Sequence, residues 1–171
     1  MSIKNLAAMG MLATLLAGCG TQIMKAQPGT PVVEIIAQHG KPSYECTAKN
    51  GRKRLIWSQQ PFGQYAWATE VTPEGTITEM TQVLADQHFN RMSRGIWTRE
   101  DVLCEFGPPA DEEQVGIPEA RRDVWSYRYR QSDVWYSMMY VYFEPNGNRV
   151  IRFHSGPDPM FLEDWSAPDR H

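Results

Sequence analysis

The spacing of apolar residues predicts one short helix near the start of the folded chain. Thr30 is a residue type that caps helices, Pro31 suits the first helical position, and Gly40 followed by Pro42 marks the end. Residues with an apolar body recur between these signals at helical spacing: Val32, Ile35, Ile36 and His39. We therefore predict a helix with one apolar face.

Three strand-like runs follow this helix, at 54–58, 65–72 and 76–84. The last two are joined by Pro73, Glu74 and Gly75, and Asn50-Gly51 gives another strong turn signal before the first run. The segment 30–84 is therefore predicted to be a helix followed by three antiparallel strands.

A polar connector at 85–97 leads to a second helix with a clearer start signal. Thr98 has Asp101 three residues later, which is the spacing of a capping box, and Gly107 followed by prolines ends the helical pattern. Strands are predicted at 123–130, 135–143 and 149–155. We expect 111–121 to be a loop and 157–171 to be a polar, poorly ordered tail.

The two halves carry the same signals in the same order, which indicates an internal repeat. A helix stop, a Trp-Ser strand and a Pro-x-Gly turn align in turn: Gly40 with Gly107, Trp57 with Trp125, and Gly75 with Gly147. The predicted fold class is α+β, with two tandem units at 30–84 and 98–156. Each unit is a helix plus a three-stranded antiparallel sheet, and we expect the units to share one sheet layer with the helices packed on one face.

The N-terminus has the layout of a secretory signal. Lys4 precedes an apolar stretch at 6–16 that is shorter than the roughly 20 residues of a membrane-spanning helix. The following Leu16-Ala17-Gly18-Cys19 resembles the bacterial lipoprotein signal, which implies cleavage after 18 and acylation of Cys19. Residues 19–29 then form a flexible tether, and the lack of Asp at position 20 favours the periplasmic face of the outer membrane. The alternative is an ordinary signal peptide with a chance cysteine.

One segment resembles a known family. The run Gly95 to Pro109, with its Thr98 cap and Gly107 stop, is similar to the signature of the SmpA/OmlA lipoproteins, and Trp125-Ser126-Tyr127 resembles the strand that follows it. That family includes a small lipoprotein subunit of the outer-membrane β-barrel assembly machinery. The tandem layout also resembles the β-lactamase inhibitor protein fold. The resemblance implies a non-catalytic role, with envelope proteins such as barrel-assembly components as partners.

Composition and motifs give no sign of catalysis or of nucleic-acid binding. The chain has 17 basic and 20 acidic residues, so no electrostatic argument favours nucleic acid. No catalytic motif is present, and the adjacent Glu112 and Glu113 fit a solvated turn. The four histidines are far apart in the sequence: His39, His88, His154 and His171. We predict a protein that is not an enzyme and has no metal or cofactor.

The cysteines leave two interpretations open. With Cys19 set aside for the lipid, Cys46 and Cys104 remain in a compartment where disulfides persist. A bridge between them would close a long loop and stabilise the fold by about 4 kcal/mol. A free Cys104 on the apolar side of its helix is the alternative.

Two surface features are candidates for binding. In the strand at 135–143, Tyr136, Tyr140 and Tyr142 alternate with residues such as Val141 and Phe143, so both strand faces carry large side chains. Tyrosine is common at protein interfaces. The alternative is that the rest of the chain covers these tyrosines. The basic turn formed by Lys49, Arg52 and Lys53 suits either anionic headgroups or solvent.

The sequence thus predicts a lipid-anchored outer-membrane protein that holds envelope proteins together. The alternative is that the protein is a binding or inhibitor module, which binds a soluble periplasmic or secreted protein through its aromatic sheet.

Overall fold

The computed structural model describes residues 25–162. The predicted signal peptide at 1–18, the predicted acylation site Cys19 and positions 163–171 of the predicted tail lie outside the described residues. Within the described part the protein is α+β, as predicted. The helices are α1 (Val32–His39), α2 (Asp86–Phe89) and α3 (Arg99–Phe106). The strands are β1 (Tyr44–Thr47), β2 (Lys53–Ser58), β3 (Ala66–Glu70), β4 (Thr81–Gln82), β5 (Asp111–Val115), β6 (Arg122–Gln131), β7 (Trp135–Phe143) and β8 (Val150–Pro157).

The strands of residues 25–162 form two separate four-stranded antiparallel sheets, β1-β2-β3-β4 and β5-β6-β7-β8. The prediction of three strands per unit missed the first strand of each sheet. β1 has only four residues, and β5 lies in the segment 111–121 that was predicted to be a loop. Every residue of β5 is exposed, so no apolar alternation marks it. Its backbone nevertheless pairs with β6, from Asp111 opposite Ser126 to Val115 opposite Arg122.

The first helix begins one residue later than its sequence signals indicate. Pro31, not Thr30, occupies the N-cap position, and the Thr30 hydroxyl donates to the backbone carbonyl of Gln27 at 2.7 Å. Gly40 ends the helix with φ of 80°, a left-handed backbone that glycine adopts without strain. The Trp57 indole N–H donates to the Gly40 carbonyl at 2.9 Å, which ties the helix end to β2.

Helices cover both faces of the first sheet, which corrects the expectation of one covered face. Leu55, Trp57 and Trp67 pack with Ile35 of α1 on one face. Ile56 and Ala68 point to the other face and join the main core, which contains Val102 and Phe106 of α3. The opposite packing follows from strand alternation, because neighbouring residues of β2 and β3 face opposite sides.

The predicted run at 76–84 contains only a two-residue strand. Thr76 and Ile77 instead form isolated bridges, with Pro31 and Val71, and β4 begins at Thr81. The mixed polar and apolar pattern of this run does not indicate which strand face would be buried. The backbone of the run forms hydrogen bonds to two different segments. Ile77 N, for example, donates to the Thr30 carbonyl at 2.9 Å.

The start of α3 confirms the predicted capping box. The Thr98 hydroxyl accepts from Asp101 N, while the Asp101 carboxylate accepts from Thr98 N at 2.9 Å. Gly107 ends the helix with φ of 81°. The later strands β6, β7 and β8 lie within one or two residues of their predicted bounds.

The connector at 85–97 belongs to the core, contrary to the prediction of a polar link. It contains α2 and a 3-10 turn at Asn90–Ser93, and it buries Phe89 and Met92. The Phe89 ring stacks on Phe106 of α3 with 4.7 Å between ring centres. Two apolar residues in a polar background were too few to reveal this contact in the sequence.

The Gln60 side chain connects the two sheets by hydrogen bonds at a position that no strand of the described chain occupies. β5 covers only the first part of β6, and the Gln60 amide fills the position beside Arg128. Gln60 Nε2 donates to the Arg128 carbonyl at 2.9 Å, and Arg128 N donates to Gln60 Oε1 at 3.1 Å. The loop after β2 is therefore bonded to the edge of the second sheet.

Candidate functional site

The three tyrosines predicted as partner contacts lie on one face of β7. They alternate with Val141 and Phe143, which are buried in the core with α3. Cross-strand neighbours extend this surface onto β6 and β8. We call it the tyrosine face and define it by these residues: Val124, Ser126, Arg128, Arg130, Tyr136, Met138, Tyr140, Tyr142, Arg152 and His154.

Tyr136 is the most accessible of the three tyrosines. Its side chain is 46% exposed, and its ring stacks on Phe161 with 4.0 Å between ring centres. The Arg130 guanidinium lies over the same ring at 4.5 Å. This end of the tyrosine face therefore combines exposed aromatic surface with a cation.

Tyr140 and Tyr142 are more enclosed. The Tyr140 ring lies so close to Gly156 that a Cβ at position 156 would be 3.2 Å from it. Burial, with smaller contributions from Asp158 and Glu113, raises the pKa of Tyr140. The Arg152 guanidinium lies 4.1 Å from the centre of the Tyr142 ring. Tyr140 thus supports the sheet, whereas Tyr136 and Tyr142 present their rings together with arginines.

Exposed apolar side chains concentrate beside Tyr136. They come from the β6–β7 turn and from the segment after β8: Val134, Met160, Phe161 and Leu162. Trp135 is also exposed, but strand alternation places it on the other face of β7. An exposed apolar cluster of this kind is typical of an interaction site. The sequence prediction missed 160–162 because it treated everything after 156 as a polar tail, although these three residues form an apolar run.

The start of the predicted tail is held by a buried ion pair. Asp158 is 1% exposed, and its two carboxylate oxygens accept from Arg128 Nη1 at 2.9 and 3.2 Å. Asp158 Oδ1 also accepts from Met160 N at 3.0 Å. Arg128 Nε donates to the Pro61 carbonyl at 2.8 Å. Segment 157–162 is therefore folded against the tyrosine face, which corrects the predicted disordered tail over these residues.

Cys46 of β1 and Cys104 of α3 are joined by a disulfide, with 5.7 Å between their Cα atoms. The bridge lies in a groove of about 830 Å³ between the first sheet and α3. Polar and charged side chains of both signs line most of this groove, and Trp97 and Ile96 supply its apolar wall. The groove thus has no single charge that would identify a ligand.

A charged cluster at the groove is centred on Glu105. Its carboxylate accepts from Arg91 Nη1 at 2.6 Å, lies 3.3 Å from Arg54 Nη2 and lies 3.1 Å from His88 Nδ1. Burial alone would raise the pKa of Glu105, but the His88 hydrogen bond and the charges of Arg54 and Arg91 outweigh it and lower that pKa. The ionised carboxylate therefore stabilises the fold.

We expect Glu105→Gln to lower the free energy of unfolding by about 2 kcal/mol at pH 7, because it leaves two arginines without their carboxylate. The folded pKa is lowered, so this contribution is present above the unfolded carboxyl pKa of about 4.3 and is lost as the pH falls below it. Denaturant unfolding of both proteins at pH 7 and near pH 3 measures the difference. Glu74→Gln, in an exposed turn, is the control and should change little. An equal loss at both pH values would contradict the assignment.

Each basic residue of the predicted headgroup contact has an acidic neighbour. Lys49 Nζ lies 3.1 Å from Asp101, Arg52 Nη1 lies 3.8 Å from Glu70, and Lys53 Nζ lies 2.5 Å from Glu45. The turn therefore has little net positive charge. A surface cation contributes about 1 kcal/mol to binding anionic lipid, and a carboxylate beside it offsets that attraction.

We accordingly expect that replacing Lys49, Arg52 and Lys53 together by Gln changes the binding of the unacylated protein to anionic vesicles less than twofold. Vesicle co-sedimentation at low salt measures it, with neutral vesicles as the control. A drop of about tenfold or more would show that the acidic neighbours do not offset the basic turn.

Two of the four histidines lie beside charged or aromatic side chains, and a third is outside the described residues. His88 belongs to the Glu105 cluster, His154 lies beside Tyr140 and Tyr142, and His171 is outside the described residues. Across residues 25–162 no group of three or more His, Cys, Asp or Glu side chains is placed to hold a metal ion. No helix in the same range is long and apolar enough to cross a membrane.

No protein-family model, curated protein or solved structure matches this chain. The resemblance to the SmpA/OmlA family therefore stays a prediction from the motif at 95–109. The structural support for a function therefore comes from the geometry of the tyrosine face.

Proposed function

We propose that this protein is a lipid-anchored, non-catalytic protein-interaction module of the bacterial outer membrane, facing the periplasm. It holds envelope proteins together, with barrel-assembly components as the proposed partners, and it binds them through the tyrosine face. Cys19 would carry the lipid. The single observation that supports the binding role is the exposed aromatic cluster around Tyr136.

The composition of this cluster is that of a protein interface. Interface centres are enriched in Trp, Tyr, Phe, Met and Arg, because large rigid or amphipathic side chains bury much area at low entropic cost. Tyr136, Phe161, Met160 and Arg130 supply these residue types at one end of the tyrosine face. Exposed apolar surface of this kind is typical of a site that a partner covers.

We also propose that the two halves are copies of one folding unit. Both follow the order of a helix and then a four-strand meander. The helix-ending glycines, Gly40 and Gly107, have nearly the same φ and both have ψ near 180°. Both glycine carbonyls accept from an aromatic side chain of the sheet, Trp57 in the first half and Tyr127 in the second. Superposition of the two halves in an experimental structure would test the duplication.

Lipid attachment can be tested separately from binding. Metabolic labelling with a radioactive fatty acid should mark the protein, and Cys19→Ser should abolish the label while Cys46→Ser retains it. Membrane fractionation then locates the labelled protein. Failure to label the unchanged chain would remove the proposed anchor but would leave the tyrosine face untouched.

Partner capture tests the binding role. After mild crosslinking in the native envelope, Tyr136→Ser combined with Tyr142→Ser should reduce the captured partner about tenfold or more, because aromatic anchors at interfaces often contribute about 2 kcal/mol or more. Tyr140 is left unchanged because its ring packs on Gly156. Val33→Ser, which removes an exposed apolar residue of α1, is the matched control.

The identity of the captured protein separates the candidate functions. A barrel-assembly component supports the proposed role, whereas a soluble periplasmic or secreted protein supports the inhibitor-like alternative. Undiminished capture by the double variant, with its melting temperature unchanged, would show that the tyrosine face is not the binding surface.

A further inference from the structure

One edge of the second sheet, next to the tyrosine face, is left uncovered by most of the chain that the structure describes. β8 is the last strand in the sheet order, and within residues 25–162 it pairs only with β7 along most of its length. Its start is covered, because Val150 N donates to the Trp97 carbonyl at 2.8 Å and Arg149 forms a bridge with Thr98. The stretch from Ile151 to Pro157 has no such cover from the described residues.

The register identifies the backbone groups that point outward from this edge. Asp158 N donates to the Tyr136 carbonyl, and the pairs Gly156 with Met138 and His154 with Tyr140 continue the same register. Bonded pairs alternate in an antiparallel ladder, so the residues between them turn their N–H and C=O groups away from β7. These outward groups belong to Phe153 and Ser155. An edge of this kind is a template for an additional strand.

The same edge carries cationic charge without a carboxylate partner. Arg152 is exposed and is held over Tyr142, yet it is in none of the ion pairs formed within residues 25–162. Arg130, which lies over Tyr136 on the interior strand β6, also forms no ion pair in that range. Three arginines of the second half, Arg99, Arg128 and Arg149, are each paired with an acidic side chain. β8 itself contains no acidic residue.

We propose that the partner of the tyrosine face supplies an extended, acidic polypeptide segment that adds to the β8 edge as a further antiparallel strand. Its backbone bonds to Phe153 and Ser155, and its carboxylates lie beside Arg152. Side chains that alternate with the carboxylates are apolar, because they lie on the other side of the sheet beside Phe153. This inference rests on the proposed function and specifies the chemistry of the partner.

Two features favour a polypeptide of this composition over other occupants. Free backbone donors and acceptors in register are complemented by another peptide backbone, and not by a lipid headgroup or a glycan. A second copy of this chain fits only in part. Its β5 would offer Asp111 and Glu113 on the tyrosine face, but Glu112 and Gln114 on the side where apolar residues are needed.

The test uses the full-length protein in detergent and a short fluorescent peptide of alternating glutamate and valine. Three matched probes accompany it: glutamine in place of glutamate, lysine in place of glutamate, and the acidic peptide with alternate backbone nitrogens methylated. Binding is measured by fluorescence anisotropy, and hydrogen exchange reports protection of the Phe153 and Ser155 amides. Arg152→Gln is compared with Arg122→Gln, an exposed arginine at the start of β6, two strands from β8 in the same sheet.

We expect the acidic peptide to bind and to protect Phe153 and Ser155. The glutamine peptide should bind about tenfold more weakly, and the lysine and N-methylated peptides should not bind measurably. Arg152→Gln should weaken binding about fivefold, the factor expected for one exposed charge pair, while Arg122→Gln leaves it unchanged.

Several results would overturn the inference. Absence of binding by the acidic peptide, equal binding of the glutamine peptide, or unchanged binding after N-methylation would each exclude an acidic added strand. Concentration-dependent self-association that the acidic peptide abolishes would assign the edge to a second copy instead. If partner capture still requires Tyr136 and Tyr142 while the acidic peptide fails, the proposed function stands and only the inference about the partner fails.

Discussion

Loss of the bridge between Cys46 and Cys104 is expected to lower the free energy of unfolding by about 4 kcal/mol. The two cysteines are 58 positions apart, and cross-linking a loop of this length removes much of the entropy of the unfolded chain. For a domain of this size such a loss corresponds to a fall of roughly 10–15 °C in melting temperature. In the folded protein the bridge fastens the four-residue strand β1 to α3.

Thermal unfolding of three samples tests this expectation: the oxidised protein, the reduced protein, and the variant with Cys46→Ser and Cys104→Ser. The reduced and doubly substituted proteins should melt at similar temperatures, and reductant should not affect the variant. Alkylation under denaturing conditions gives the independent check. Two reactive thiols at positions 46 and 104 in the unreduced protein would show that the bridge does not form.

The sequence predicts those elements whose signals are local. The Thr98 and Asp101 capping box, the glycine stop at Gly107 and the apolar alternation of β7 each depend on residues within a few positions of one another, and the structure confirms them. β5 escaped prediction because it is held by backbone pairing to β6, and its exposed acidic side chains carry no apolar pattern. Apolar periodicity in a sequence reflects side-chain burial, so a strand whose side chains are all exposed cannot be recognised from it.

The parts of the candidate site that depend on distant residues were predicted less well. The shared position of Tyr136, Tyr140 and Tyr142 on one face follows from alternation alone. The stacking of Phe161 on Tyr136 requires the chain to turn back after β8, and the turn is fixed by Asp158 and Arg128, which are 30 positions apart. The acidic neighbours of Lys49, Arg52 and Lys53 likewise come from other elements. A single sequence contains no local signal for such pairs.

The second large effect is expected from Asp158→Ala, which should lower the free energy of unfolding by about 3 kcal/mol. The Asp158 side chain has no exposed surface and Arg128 is mostly buried, so the substitution leaves a cation in the protein interior without its counter-charge. The change also removes the acceptor for Met160 N, which orders the 3-10 turn that carries Phe161. The tyrosine face and the stability of the second sheet are therefore linked through one carboxylate.

Denaturant unfolding measures the global loss, and Glu144→Gln is the matched control, because it breaks the solvent-exposed pair with Arg149 and should cost far less. Hydrogen exchange gives the local readout: backbone amides at 159–162 should lose protection in Asp158→Ala but not in Glu144→Gln. Arg128→Met combined with Asp158→Leu removes both charges and should recover part of the stability, because no unpaired charge is left buried. If Asp158→Ala is no more destabilising than Glu144→Gln, the ion pair does not hold segment 157–162 against the sheet, and Phe161 cannot be counted as a fixed part of the tyrosine face.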